Sequence, residues 1–253
     1  MDWKSHFDHI YCFHYLPSSG RLAGIKEEFR RVGILDSGIF SFVYNTPDPW
    51  EEEVERACQR IARDGESNRG FVNLGLSTAR TMREALGLGY RRVLFLENDI
   101  RFLKNLKTIE LIMERTPEDY AIVQYDKFLP WEWTPDRYRS HVEQFRINDA
   151  FYDGGAEFLA SGGCFAADTQ GMTALVNALE KGGPRPVDGL FGAVGVRRAV
   201  SVLNAAIQVV FEDALLWKYL KQGNTHHKAY APMELDYSLY NVPDGYGYDK
   251  PSA

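Results

Sequence analysis

The sequence predicts an α/β fold, a three-layer α/β/α sandwich on a mostly parallel central sheet, and three observations carry that expectation. Short apolar runs bounded by turn residues alternate with segments whose apolar residues recur every three or four positions. The run 91–96 (RRVLFL) is short and rich in apolar residues, which suits a strand covered on both faces. The alternation of strand and helix repeats through the first half of the chain, so helices must lie on both faces of the sheet.

Taken in order, residues 8–16 (DHIYCFHYL) read as the first strand. Leu22, Ile25, Phe29 and Val32 stripe a helix that Gly33 stops. Residues 38–45 (GIFSFVYN) read as the second strand. Trp50, Val54, Cys58 and Ile61 mark a second amphipathic helix behind the Pro47-Asp48-Pro49 turn. Gly65 to Gly70 reads as a polar loop, and Ala79, Met82 and Leu86 as a third helix closed by Gly87 and Gly89. Leu106, Ile109 and Met113 suggest another helix, and 120–125 (YAIVQY) another strand.

Residues 128–155 break the pattern and are too long for an ordinary connection, so they read as a functional loop or an insertion. Residues 156–168 (AEFLASGGCFAAD) look like a strand with a close-approach glycine pair. Met172, Leu175, Val176 and Leu179 follow at helical spacing, 201–221 reads as helical, and the tail after Tyr237 is expected to wind over the surface.

The 253 residues, 45% hydrophobic and 25% charged, are ordinary for one globular domain spanning 1–253. A net charge of -6 argues against non-specific nucleic-acid binding. There is no apolar run of spanning length and no signal-like N-terminal layout, so a cytoplasmic protein without a transmembrane segment is expected. Cys12, Cys58 and Cys164 are odd in number and widely spaced, and read as small buried thiols.

Ligands of such sheets bind beyond the carboxyl ends of the strands, which directs attention to the chain just after residues 16, 45 and 96. The most informative segment is RRVLFLENDI, where an apolar strand delivers Glu97, Asn98 and Asp99 to that edge. Two carboxylates flanking an amide suit a hard cation, Mn2+ or Mg2+, that would neutralise a diphosphate leaving group. The same residues are also ordinary turn formers after a strand.

The strand carrying E-x-D, behind a helix with NLGLSTARTMREALGLGY, resembles glycosyltransferase family 25, the lipopolysaccharide and collagen glycosyltransferases. The opening strand with Arg21 and Val32-Gly33-Ile34, then YAIVQYDKF, SGGCFAAD and Pro186-Val187-Asp188, carry the same resemblance. The family's Glu-Asp-Asp motif is Glu97-Asn98-Asp99 here, and its Ser-His pair is Ser77-Thr78. The resemblance implies a GT-A (Rossmann-like) fold, with residues 1–127 holding the nucleotide sugar and 128–253 the acceptor. It implies a UDP- or GDP-sugar donor, a glycan or glycoconjugate acceptor, and a place in polysaccharide biosynthesis.

Residues 211–223 (FEDALLWKYLKQG) resemble the acidic pair that opens a helix in inverting GT-A enzymes. That implies Asp213 as the base that takes the acceptor's proton, with Asp188 as the competing candidate and a helix-end role as the bland reading. The GT-A resemblance also implies a further metal ligand from His226 or His227. It brings Phe13, Tyr15, Arg21, Asn45 and Arg80 towards the nucleotide, with Glu97 bridging metal and donor. Phe13 reads equally as core, and Arg80 as a surface residue. Trp131 and Trp133 are expected to form an acceptor wall or lid. The expected activity is metal-dependent, inverting hexosyl transfer; alternatives are a sugar-nucleotide nucleotidyltransferase and a non-catalytic sugar-nucleotide-binding relative.

Overall fold

The computed structural model describes residues 1–15, 19–45, 52, 56, 65–127, 129, 133–155, 159, 161–183, 186–208 and 237–241. In chain order the elements are β1 (His9–Tyr15), α1 (Ser19–Arg31), β2 (Phe40–Asn45), α2 (Gly65–Gly87), β3 (Arg92–Glu97), β4 (Ile100–Phe102) and α3 (Leu106–Glu114). They continue with β5 (Ile122–Gln124), α4 (Pro135–Gln144), β6 (Phe151–Asp153), β7 (Cys164–Asp168), α5 (Thr169–Gly182), β8 (Arg198–Ser201) and β9 (Ala206–Gln208). The helix predicted over Trp50–Ile61 lies outside the described residues.

Local chemistry sets several of these boundaries. α1 and α2 each close on a glycine in the left-handed region, Gly33 at φ 77° and Gly89 at φ 76°. In both cases the next residue reaches back five positions, Ile34 N–H to Phe29 O and Tyr90 N–H to Ala85 O, which satisfies carbonyls the helix end would orphan. Asn105 caps α3 and Asp168 caps α5 with side-chain oxygens.

The fold is an α/β sandwich with a mixed central sheet, ordered β2-β1-β3-β7-β5-β8-β6. This corrects the mostly parallel expectation. The β1/β2, β1/β3 and β5/β8 pairs are parallel, whereas β3/β7, β5/β7 and β6/β8 are antiparallel. The chain enters β7 at the edge where its neighbours end, with Cys164 beside Leu96 and Phe165 beside Gln124. A strand that starts there can only run back down the sheet. A second small sheet pairs β4 with β9.

Other expectations also change. Gly65–Gly70 is the start of α2 rather than a loop. A helix nucleated by a packed stripe propagates into polar residues that carry no periodic signal of their own. Residues 201–208 end β8 and form β9 rather than opening a helix, because the apolar run there suits either period; residues 209–221 lie outside the described residues. Among the described residues of 156–168, Cys164–Asp168 alone form a strand. The segment 128–155 contains α4 and β6.

Two apolar layers flank the sheet. Ile25 and Phe29 of α1, Val32 just past its end, and Ile109, Ile112 and Met113 of α3 pack on one face with Ile10, Cys12 and Leu94. Ala79, Met82 and Ala85 of α2 and Met172, Leu175 and Leu179 of α5 pack on the other with Tyr11, Val93 and Phe95. Trp133 is buried with Tyr138, Val142 and Tyr152, an anchor for α4 rather than an exposed sugar platform; Trp131 lies outside the described residues. Among the described residues no helix is long and apolar enough to cross a membrane.

Candidate functional site

β3 lies between β1 and β7, and Val93 to Leu96 are fully buried. Hydrophobic burial on both faces holds this strand in place and brings Glu97 to the carboxyl edge, with Asn98 and Asp99 in the turn before β4. The Glu97 N–H donates to Gly163 O at 2.8 Å, so the turn is tied to the segment entering β7. Asn98 is buried and its amide donates to His14 Nδ1 at 2.8 Å. The His14 proton therefore sits on Nε2, which is buried and has no hydrogen-bond partner among the described residues. Burial, then Arg21 and Lys26, hold the His14 pKa below its ordinary value and keep the ring neutral.

Arg21, from α1, places Nη1 4.0 Å from Asp99 Oδ2, with both side chains largely covered. Two further carboxylates converge from other parts of the chain. Asp126 follows β5; its Oδ1 accepts from Cys164 N–H at 3.0 Å and its Oδ2 from the Ser161 hydroxyl. Asp188 lies in a short 3-10 turn, Val187–Leu190, and accepts from Ser161 N–H at 3.1 Å and from Gly189 N–H at 2.9 Å.

Ser161 is the hub. Among the described residues it is the non-glycine residue at positive φ, 97°. Such a backbone costs on the order of 1–3 kcal/mol and persists only where the surroundings hold it. Here its N–H is held by Asp188, its hydroxyl by Asp126, and its Oγ lies 2.8 Å from Gln208 Oε1. The Gln208 amide in turn donates to Glu97 Oε2 at 3.1 Å and lies 3.5 Å from Asp99 Oδ1. Gly163 makes this approach possible, since a Cβ there would sit 2.5 Å from Gln208 Cγ and 2.9 Å from Asp126 Oδ2.

Four acids share this small volume, and all are pushed towards protonation. Burial is the main cause for Glu97, followed by repulsion from Asp99, Asp188 and Asp126, and its pKa lies well above the usual carboxylate range. Asp99 is also raised by burial, against the pull of Arg21. Asp188 is raised by burial, and Asp126 is raised by burial to about 7. Such repulsion fits a site made to receive positive charge.

The raised values set the sign of an expected change in stability with pH. The folded state holds protons that the unfolded chain releases near pH 4, so stability is fully present below that pH and is lost as pH rises towards about 7. Asp126 alone contributes at most about 4 kcal/mol to this loss. With chelator present, the thermal midpoint is expected to fall between about pH 4 and about pH 7. Asp126→Asn should flatten that fall; a midpoint independent of pH in the parent protein would remove the case for a repelling cluster.

The predicted residues separate into those brought together and those that are not. Glu97, Asp99, Arg21 and Asp188 converge. Phe13 is buried in the core, its ring stacked on Phe95 at 6.3 Å and 7°. Tyr15 and Asn45 pair at the last register of β1 and β2, their side chains outside the described residues. Arg80 is half-buried on α2. Asp213, His226 and His227 lie outside the described residues. Sequence reasoning missed Asp126, Ser161 and Gln208 as site residues. For Asp126 a signal existed, an acid directly after a buried strand; for Ser161 and Gln208 none did.

Among the described residues no group of three or more His, Cys, Asp or Glu is arranged to hold a metal ion. The donor set nonetheless fits one kind of site: two hard carboxylates at one turn, of the sort that hold Mg2+ or Mn2+ jointly with substrate phosphates rather than in an all-protein cage.

No protein-family model matches the chain, nor does any curated protein. Among solved structures it overlaps mouse xyloside xylosyltransferase 1 in its apo form, with TM-score 0.39 and 9% identity over 88% of this chain and 93% of that one. It overlaps a mannose-1-phosphate geranyltransferase from Thermus thermophilus, with TM-score 0.39 and 14% identity over 78% and 74% of the two chains. It also overlaps the galactosyltransferase LgtC in complex with donor and acceptor sugar analogs, with TM-score 0.35 and 9% identity over 93% and 98%. Overlaps this loose say nothing about activity.

Proposed function

We propose that the chain is a metal-dependent glycosyltransferase of GT-A type that moves a sugar from a nucleotide diphosphate donor to a hydroxyl acceptor. The observation that carries this reading is the delivery of Glu97 and Asp99 to the carboxyl edge of the sheet by the buried inner strand β3, with both carboxylates facing one amide and Arg21 alongside. Ligands of α/β sheets bind at that edge.

A divalent cation held by Glu97 and Asp99 would supply the positive charge that a departing diphosphate needs. The chain's own groups do the rest. Arg21, pre-placed beside Asp99, offers a planar set of donors to phosphate oxygens. The His14 Nε2–H, buried at the end of β1 and without a partner among the described residues, is a second donor available to a bound acceptor atom. Asp188 is the carboxylate assigned to proton removal from the acceptor hydroxyl, because its two oxygens are fixed by backbone N–H groups and repulsion raises the Glu97 pKa partly from its direction. In an inverting transfer the base and the departing diphosphate lie on opposite faces of the sugar.

The direct test is a thermal-shift screen of UDP- and GDP-sugars with Mn2+ on the full chain. A donor at about one hundred times its dissociation constant stabilises the folded state by about 2.7 kcal/mol. Asp99→Ala should abolish the Mn2+-dependent part of that shift. If no nucleotide sugar stabilises the parent protein, or if Asp99→Ala responds as the parent does, the reading fails.

A further inference from the structure

Gln208 stands where the two candidate ligands meet, and the pattern of donors and acceptors around it balances only while Asp126 keeps its proton. Ser161 has one hydroxyl proton and two oxygens facing its Oγ, Asp126 Oδ2 and Gln208 Oε1. If Asp126 is ionised, one of those two contacts has no proton in it. On its other side Gln208 turns both amide hydrogens towards Glu97 Oε2 and Asp99 Oδ1, where a cation shared by those carboxylates would need oxygen instead.

Rotation of the terminal amide resolves both problems at once. The two ends of a glutamine amide have nearly the same shape, so a half turn about the last side-chain bond exchanges donor for acceptor without repacking. Nε2 then donates to Ser161 Oγ, the Ser161 hydroxyl donates to ionised Asp126, and each contact has one donor. The same rotation aims Gln208 Oε1 at Glu97 Oε2 and Asp99 Oδ1. Once Glu97 and Asp99 are ionised, three oxygens facing one another require positive charge among them.

We propose that Gln208 is a third oxygen ligand of the divalent cation, turned inward by rotation of its amide and held in that orientation by Ser161 and Asp126. The inference rests on the cation site of the glycosyltransferase reading. A neutral carbonyl oxygen is a normal ligand for Mg2+ or Mn2+ alongside two carboxylates. β9 is suited to supply it, because its pairing with β4 fixes Gln208 directly opposite Ile100, the residue after Asp99. In the absence of a cation the amide hydrogens hold the carboxylates, so Gln208 acts as both place-holder and ligand.

The test measures Mn2+ binding to the full chain without nucleotide, read from the electron paramagnetic resonance signal of free Mn2+. Gln208→Met keeps the length and removes the amide; Gln208→Glu keeps an oxygen and removes the donor hydrogens. Ligation predicts binding weakened about tenfold or more in Gln208→Met and retained in Gln208→Glu. A residue that only holds the carboxylates competes with the cation, so its loss in Gln208→Met would leave Mn2+ binding unchanged or tighter, and that result overturns the proposal. Asp99→Asn separates the two levels. Should the parent protein fail to bind Mn2+, or Asp99→Asn bind as the parent does, the underlying cation site is wrong. If Asp99→Asn loses binding while Gln208→Met does not, only the third ligand is wrong. Gln208→Ala, read by the same signal, replaces Gln208→Met if the latter lacks cooperative thermal unfolding.

Discussion

Asp188→Asn is expected to lower kcat by about 10²- to 10⁴-fold while leaving donor binding unchanged. The substitution keeps the size of the side chain and leaves a carbonyl oxygen that can still accept from Ser161 or Gly189, but it removes the basic group. The loss should therefore appear in kcat, with the Mn2+-dependent thermal shift by nucleotide sugar intact. Local geometry sharpens the prediction. Asp188 anchors the N–H of Ser161, a residue at positive φ, so a purely supporting role would instead show as lost stability and weaker donor binding. Asp213→Asn is the companion variant. If it abolishes transfer while Asp188→Asn transfers normally, the base is Asp213 and Asp188 is a clamp.

The second large effect is on stability. Gly171, in the first turn of α5, has no room for a side chain: a Cβ would lie 2.2 Å from Ala121 O and 2.9 Å from Ala121 C, both backbone atoms. Neither partner can yield easily. Ala121 O already accepts from Asp168 N–H at 2.9 Å, and Gly171 N–H is held by the Asp168 cap at 2.8 Å. Gly171→Ala must lift the start of α5 from the sheet, disturbing the packing of Met172 and Leu175. A cost of about 3 kcal/mol is expected, at the upper end for overpacking. Chemical denaturation monitored by circular dichroism measures it. Gly87→Ala, where a Cβ meets nothing within 4 Å, serves as the control and should change stability by less than about 1 kcal/mol. Equal midpoints for Gly171→Ala and the parent would show that α5 does not approach the sheet this closely.

Much of the first half of the fold was legible because its signals are local. The stripe Leu22, Ile25, Phe29 and Val32 with Gly33 behind it located α1 to within a few residues, and RVLFLE identified the buried strand. Both depend on the spacing of apolar residues within one element. The start of α2 was illegible because Gly65–Gly70 has no apolar stripe and is helical only as an extension of the striped turns around Ala79 and Met82. β9 reads as helix in the sequence because the short apolar run Ala205-Ala206-Ile207 between Asn204 and Gln208 shows no clear period, and only pairing with β4 selects the extended form.

The site divides in the same way. Glu97, Asn98 and Asp99 stood out because acids after a buried strand end at a predictable edge. Gln208 and Ser161 did not, since a hydrogen bond across more than a hundred residues, or a positive φ on a serine, leaves no periodic trace. Trp133 looked like a sugar platform because sequence carries residue type but not exposure, and the packing of Tyr138 and Tyr152 around it decides the matter.

By itself the sequence determined that apolar strands alternate with amphipathic helices and that an acidic tripeptide closes a buried strand, for these are properties of neighbouring residues and hydrophobic spacing. Only the tertiary structure decided that β7 runs against its neighbours, and that Asp126, Ser161, Asp188 and Gln208 meet Glu97 and Asp99. Strand direction depends on which edge of the sheet the chain has reached, and carboxylate repulsion depends on distances in space, neither of which is encoded within any single segment.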